Sequence, residues 1–262
     1  GGSQIAELPE HPGAATLGGV LATARSPLRR SRLLGVRERV LEMTVVTGDG
    51  RVVRSGGRVV KNVSGFDLHR ASVGAFGSLG VIVSVCLKLW PIPAAAATVR
   101  VGSLEEAKRL NRPLAIIETT DGIDVYFWGT DRDVTATIDK LDGEARTGLD
   151  WPEDPVARFA WSLRVPPSEM TSAIDRLPPG PFLAVHDSGE IRLGTDDVEG
   201  AVELRAWAES VSGTLVLVDH PGPEPPIDPW GTVPQTVEPQ RRLIREFDPA
   251  RVINPNRLPG GV

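Results

Sequence analysis

Two β-branched runs, residues 40–47 and 51–54, flank Gly48-Asp49-Gly50. This pattern predicts a β-hairpin, because Asp-Gly tolerates the positive φ of a tight turn. Ser64 precedes Asp67 by three residues, which predicts a helix running to about Val73 and stopping at Gly74. Residues 81–89 alternate as a strand. Val81, Val83, Val85, Leu87 and Leu89 are predicted on one face, with Ile82, Ser84, Cys86 and Lys88 on the other. Pro91 and Pro93 end that strand.

The pattern changes at the alanine run 94–97, where a domain boundary is predicted. Short strands and helices then alternate. Residues 98–101 read as a strand, and Ser103-Leu104-Glu105-Glu106 opens a helix to Leu110. Residues 114–118 and 123–128 read as strands, and Asp131 is the predicted cap of a helix to Leu141. The stretch from Val99 to Ala107 resembles the stretch from Leu163 to Thr171: strand, tight turn, cap and helix. Strands at 182–186 and 191–193, a helix at 198–211 and a strand at 215–218 follow the second copy. Two β-α-β-β units predict an α+β sheet layered with helices. Residues 220–239 hold seven prolines and read as an extended connector. A short helix is predicted at 238–247.

Composition narrows the function classes. The 262 residues carry 29 Lys+Arg against 34 Asp+Glu, a net charge of −5, which disfavours a duplex nucleic-acid binder. Cys86 is the single cysteine, so the chain forms no internal disulfide and no cysteine-based zinc or iron–sulfur site of its own. No apolar run reaches the ~18 residues that span a bilayer, and the first ten residues lack the features of a signal peptide. Residues 25–61 reverse the overall balance, with ten Lys/Arg against three acids. That excess suits an anionic ligand or an acidic partner as readily as a solvated face.

Candidate chemistry lies in the glycines. Thr16-Leu17-Gly18-Gly19 and the loop from Gly74 through Gly77 to Gly80 offer backbone without Cβ atoms. Such backbone either cradles a phosphate or simply turns. Neither loop is a dinucleotide fingerprint or a P-loop, and no nucleophile elbow is present. His11, His69, His186 and His220 lack metal-ligand spacing, so no metal site is expected. His69 reads as structural. His186, beside Asp187 and Gly189, is the one histidine held as substrate-facing.

As an ordered set, these segments resemble the FAD-linked oxidases of the vanillyl-alcohol oxidase type. The carriers are Thr16-Leu17-Gly18-Gly19, Val59-Val60-Lys61-Asn62-Val63-Ser64-Gly65-Phe66-Asp67, Gly74 through Ile82, and Phe247-Asp248-Pro249 with Ile253-Asn254-Pro255. Within that family the pattern is most similar to the FAD-binding subunits of bacterial glycolate oxidases. The resemblance implies the second subdomain of a two-part FAD-binding domain at 1–93. It implies an α+β cap domain, an antiparallel sheet flanked by helices, at 94–236, and a segment returning to the flavin at 237–262. The family's first FAD subdomain has no counterpart in these residues. By the same resemblance Thr16, Leu17, Gly18, Gly19, Lys61, Asn62, Gly77, Gly80, Val81, Ile82 and Asn254 would contact FAD. Catalytic residues stay unassigned. The related catalytic dehydrogenases carry a two-histidine metal stretch, of which only His186 has a counterpart here. The implied chemistry is oxidation of a small 2-hydroxy acid such as glycolate. The implied partners are a catalytic FAD subunit and an iron–sulfur subunit, and the implied location is cytoplasmic, meeting the inner face of the membrane through those partners. A flavin-free assembly subunit and a self-sufficient FAD-linked alcohol oxidase are the alternatives.

Overall fold

The computed structural model describes residues 4–5, 8–9, 15–59, 65–141 and 143–262. The chain divides into two compact units, one of residues 1–92 with 233–262, the other of residues 93–232.

The first unit opens with β1 (Gln4–Ile5), α1 (Leu17–Thr23), α2 (Arg30–Leu33) and α3 (Val36–Arg39). A hairpin of β2 (Val40–Val46) and β3 (Val52–Gly56) follows, then α4 (Leu68–Ser72), β4 (Val81–Leu87) and β5 (Trp90–Pro91). The strands form an antiparallel sheet in the order β3-β2-β4, while β5 pairs with β1. The hairpin closes as predicted, with Val46 opposite Val52. Helix α4 starts at Leu68 after Asp67, whose side chain makes no capping bond. The predicted cap at Ser64 lies outside the described residues.

Strand β4 corrects the predicted alternation. Thr44 lies opposite Ser84, but Val45 lies opposite Ile82, so Val83 is an extra residue with no partner. A one-residue bulge exchanges the two faces of a strand. The side chains packed on the core are therefore Ile82, Val85 and Leu87, while Val81 and Val83 are each 56% exposed. That core joins Val20 and Leu21 of α1 to Val36, Val40, Met43, Val45 and Val73.

The basic stretch is largely engaged within this unit. Arg54 and Arg58 bind the buried carboxylate of Glu42 at 2.5 and 3.2 Å. Arg51 binds Asp49 at 2.6 Å, and Arg37 donates to the Val73 carbonyl at 2.9 Å. These contacts favour the structural reading of those arginines over an anion-binding one.

His69 is buried on α4, its Nδ1 3.1 Å from Ser55 Oγ. Burial holds its pKa below the ordinary 6.5; Asp67 opposes the shift and Arg70 adds to it. A lowered folded pKa means the unfolded chain takes up the proton first. The contribution is whole above about pH 6.5 and is lost as pH falls through the folded value. Acidifying the protein is therefore expected to lower the unfolding midpoint of this unit, and His69→Gln to flatten that dependence in urea titrations.

The second unit contains β6 (Ala95–Val101), α5 (Leu104–Lys108), β7 (Ala115–Thr119), β8 (Gly122–Gly129), α6 (Asp131–Ile138) and β9 (Glu144–Thr147). The same series repeats as β10 (Phe159–Arg164), α7 (Met170–Ile174), β11 (Phe182–Val185), β12 (Glu190–Thr195), α8 (Glu199–Ser210) and β13 (Thr214–Asp219). The strands make one antiparallel sheet in the order β13-β10-β12-β11-β7-β8-β6-β9. Each half is thus a β-α-β-β-α-β unit, one helix and one strand longer than the predicted repeat. The halves meet where β11 pairs with β7, Ala184 opposite Glu118. That register sets Ile116 and Ala184 on the same face of the sheet. Both belong to helix-covered cores, one around Val99, Val125 and Phe127, the other around Trp161, Leu163 and Ile191.

Ser103 caps α5 as predicted, accepting from the Glu106 amide at 3.2 Å. The cap of α6 is Thr130 instead of Asp131, with Thr130 Oγ1 accepting from the Asp133 amide. The alanine run is strand: Ala95, Ala96 and Ala97 pair with Gly129, Trp128 and Phe127. The proline-rich connector carries no strand or helix from His220 to Thr236, and Arg205 of α8 binds its Asp228 and Pro229 carbonyls. Residues 233–262 complete the first unit with α9 (Val237–Phe247), which includes Pro239 in its first turn. Ile244 and Phe247 of α9 pack with Ala75, Leu79 and Val262. Among the described residues no helix is long and apolar enough to cross a membrane.

Candidate functional site

The first unit brings most of the glycine-bearing segments into one connected group. At the start of α1, Thr16 Oγ1 accepts from the Gly19 amide at 3.1 Å. The Gly19 amide is thereby used by the protein itself, whereas the Leu17 and Gly18 amides are among those a helix leaves without an internal acceptor. The first turn of α1 carries no acidic side chain to repel an anion.

The other end of α1 rests on the second glycine loop. The Gly74 amide donates to Leu21 O at 3.0 Å and the Phe76 amide to Ala22 O at 2.8 Å. Thr16–Gly19 therefore lie within one helix length of that contact, under about 10 Å along α1. Gly77 touches the C-terminal segment: Asn254 Nδ2 donates to Phe76 O at 2.8 Å, and a methyl on Gly77 would lie 2.9 Å from that same Nδ2. Gly80 leads into Val81 and Ile82 of β4, which pair with Val46 and Val45. Lys61 and Asn62 lie outside the described residues.

Gly77 and Gly18 are glycines for different reasons. Gly77 has φ +74° and a crowded Cβ direction. Gly77→Ala is expected to cost about 1–2 kcal/mol, the strain of a left-handed residue, read as a lower thermal midpoint. At Gly18 an added Cβ would meet nothing among the described residues closer than Thr16 Oγ1 at 4.0 Å, and no positive φ demands a glycine. The described residues leave that space open.

In the second unit His186 follows β11 and is buried, with Nε2 2.8 Å from Glu118 Oε2 on β7. Burial raises the pKa of the neighbouring Asp187, with His186 opposing the shift. Sequence reading did not pair Glu118 with His186, because 68 residues separate them and only the β7–β11 register makes them meet. The face opposite the helices carries a second polar group. Asp124 binds Arg100 at 2.7 Å and Arg146 at 3.0 Å. Tyr126 stacks on Trp151 at 4.1 Å between ring centroids, and burial pushes its phenol pKa up. The alternation Asp124-Val125-Tyr126 was the available signal for this polar face. Among the described residues no group of three His, Cys, Asp or Glu side chains could hold a metal ion.

The fold is shared with the carbohydrate oxidase of Microdochium nivale, solved with a substrate analogue. The match has a TM-score of 0.61 at 16% identity and covers 94% of this chain and 71% of that one. In sequence, 102 residues (38% of the chain) are 41% identical to the glycolate oxidase subunit GlcE of Escherichia coli (strain K12), over 29% of that protein. A stretch of 85 residues (32% of the chain) is 40% identical to a D-lactate dehydrogenase of Archaeoglobus fulgidus, over 19% of its length. These matches span less than a third of the curated relatives' length. No family model matches the chain.

Proposed function

We propose that this chain is the FAD-binding subunit of a complex oxidising glycolate or a similar small 2-hydroxy acid. The observation that carries the reading is Gly18. A glycine in a helix costs up to about 1 kcal/mol against alanine, and among the described residues nothing packs against it and no positive φ calls for it. An approaching ligand explains the omission of the side chain. The similarity to a glycolate oxidase subunit and a D-lactate dehydrogenase supports the substrate class.

In this reading the Leu17 and Gly18 amides donate to the FAD diphosphate at the positive end of α1. Thr16 holds the turn, and the Gly19 amide stays on Thr16. Gly77, Gly80 and Ile82 present close backbone and the exposed Val81 an apolar flank, with the Asn254 carboxamide on the Phe76 carbonyl. Lys61 and Asn62 keep the FAD-contacting role that the resemblance implies. When bound, the flavin supplies the hydride-accepting chemistry. His186, hydrogen-bonded to Glu118, is the proposed substrate-side residue of the second unit. The proposed partners are a catalytic FAD subunit and an iron–sulfur subunit. The proposed location is cytoplasmic, with any membrane contact made through those partners.

Titration with FAD, followed by addition of glycolate with and without the partner subunits, tests the reading. FAD is expected to bind, and glycolate to reduce it only with the catalytic subunit present. Reduction without a partner would make the chain a self-sufficient oxidase. Failure to bind FAD alone and in the complex would make it a flavin-free assembly subunit.

A further inference from the structure

Asp248 is fully buried at the end of α9. Its Oδ1 accepts from the Val252 amide at 3.0 Å and its Oδ2 from the Ile253 amide at 2.7 Å. A methyl on Gly48 would overlap this carboxylate. The Gly48 amide donates to Phe247 O at 2.9 Å, and Arg51 Nη2 to Glu246 O at 2.8 Å. The turn of the β2–β3 hairpin and the end of α9 thus enclose one carboxylate, whose two oxygens bind consecutive amides.

The segment held this way is strained. Arg251, Asn254 and Asn256 have φ of +53°, +42° and +62°. Non-glycine residues keep such angles only where their surroundings impose them. Asn254 is exposed, so burial does not hold it. What orients it is the pair of amides just before it, fixed by Asp248, and its own bond to Phe76 O.

We propose that Asp248 is a positioning residue for the glycine-loop site: by gripping the Val252 and Ile253 amides it holds the Asn254 carboxamide on the Phe76–Gly77 backbone. The importance of that placement for FAD rests on the function proposed above; the placement itself does not. The hydrogen bonds of Asp248 to the Ile253 amide and of Asn254 to Phe76 O, joined by the Ile253–Asn254 peptide bond, link the buried end of α9 to the glycine loop, beside the apolar packing of Ile244 and Phe247 on Ala75 and Leu79.

The test uses the full chain with Asp248→Asn, Gly48→Ala and Asn254→Ala. Asparagine keeps one acceptor oxygen, and the methyl at residue 48 displaces the carboxylate without removing it. Hydrogen exchange without ligand is expected to speed up about tenfold or more at both 250–256 and 75–80 in the first two variants, the factor implied by losing one hydrogen bond to a charged group. Exchange in β2, β4 and β10 should stay as in the parent. FAD affinity should fall in Asp248→Asn, and Asp248→Asn combined with Asn254→Ala should bind no more weakly than Asn254→Ala alone. Faster exchange at 250–256 with 75–80 unchanged would overturn the proposal. So would additive losses in the double variant, or loss of protection across β2 and β4 in both Asp248→Asn and Gly48→Ala. If the parent chain binds no FAD, the function proposed above fails while the exchange comparison still decides the role of Asp248.

Discussion

Gly18→Ala is expected to make the first unit more stable and the protein a poorer binder of FAD. The two effects have separate causes. Alanine in place of glycine in a helix gains about 0.5–1 kcal/mol, and among the described residues the new methyl meets only Thr16 Oγ1 at 4.0 Å. The same methyl would occupy the space through which a diphosphate approaches the Leu17 and Gly18 amides. Loss of one charge-assisted hydrogen bond weakens binding by about tenfold or more. Gly18→Val should bind more weakly still, because its β-branch fills more of that space, and it should fold. Thermal unfolding and flavin fluorescence titration of the parent, alanine and valine variants give both numbers. Parent-like FAD affinity in Gly18→Val would remove the reason for placing the cofactor at this helix. Unfolding of the valine variant would make the glycine a structural requirement after all.

The second large effect is in the sheet of the other unit. Trp161→Ala is expected to cost about 3–5 kcal/mol, the range for a large aromatic removed from a core. Trp161 is 2% exposed and sits among Leu163, Leu193, Leu204 and Leu215. Its Nε1 donates to Thr195 Oγ1 at 3.0 Å, so truncation also removes a buried hydrogen bond. Trp161→Phe keeps most of the apolar volume and should lose roughly 1–2 kcal/mol, mainly that bond. Urea unfolding followed by hydrogen exchange at 191–195 reads the loss where it occurs. A cost below about 1 kcal/mol for the alanine variant would show that this core does not hold the second half together.

Much of the element order was legible because it depends on neighbours in the chain. Gly48-Asp49-Gly50 marks a turn wherever it stands, and Ser103 finds its Glu106 amide three residues away. The repeated strand, turn and helix of the second unit could be read for the same reason, but the serine cap holds only in the first copy: in the second, Ser168 lies in the 3-10 turn Pro167–Glu169 and α7 has no side-chain cap. Strand β9 could not: Glu144-Ala145-Arg146-Thr147 has no apolar alternation, and its pairing with β6 supplies the strand conformation. The faces of β4 were misread because a bulge is a property of two strands. Nothing in the run Val81-Ile82-Val83 says that Val83 will lack a partner on β2.

The sequence by itself determined the local turns, the Ser103 cap, the doubled arrangement of the second unit and the order of segments that resembles the FAD-linked oxidases. These follow from φ preferences, side-chain period and hydrogen bonds that span only a few residues. Only the tertiary structure decided which glycines the protein needs for its own geometry and which it leaves open, as at Gly77 and Gly18. It alone brought Glu118 to His186, and Asp248 to Gly48 and the turn before Asn254. Those meetings depend on strand register and on the docking of distant segments, and pairwise distance across the fold leaves no trace in the spacing of residues along the chain.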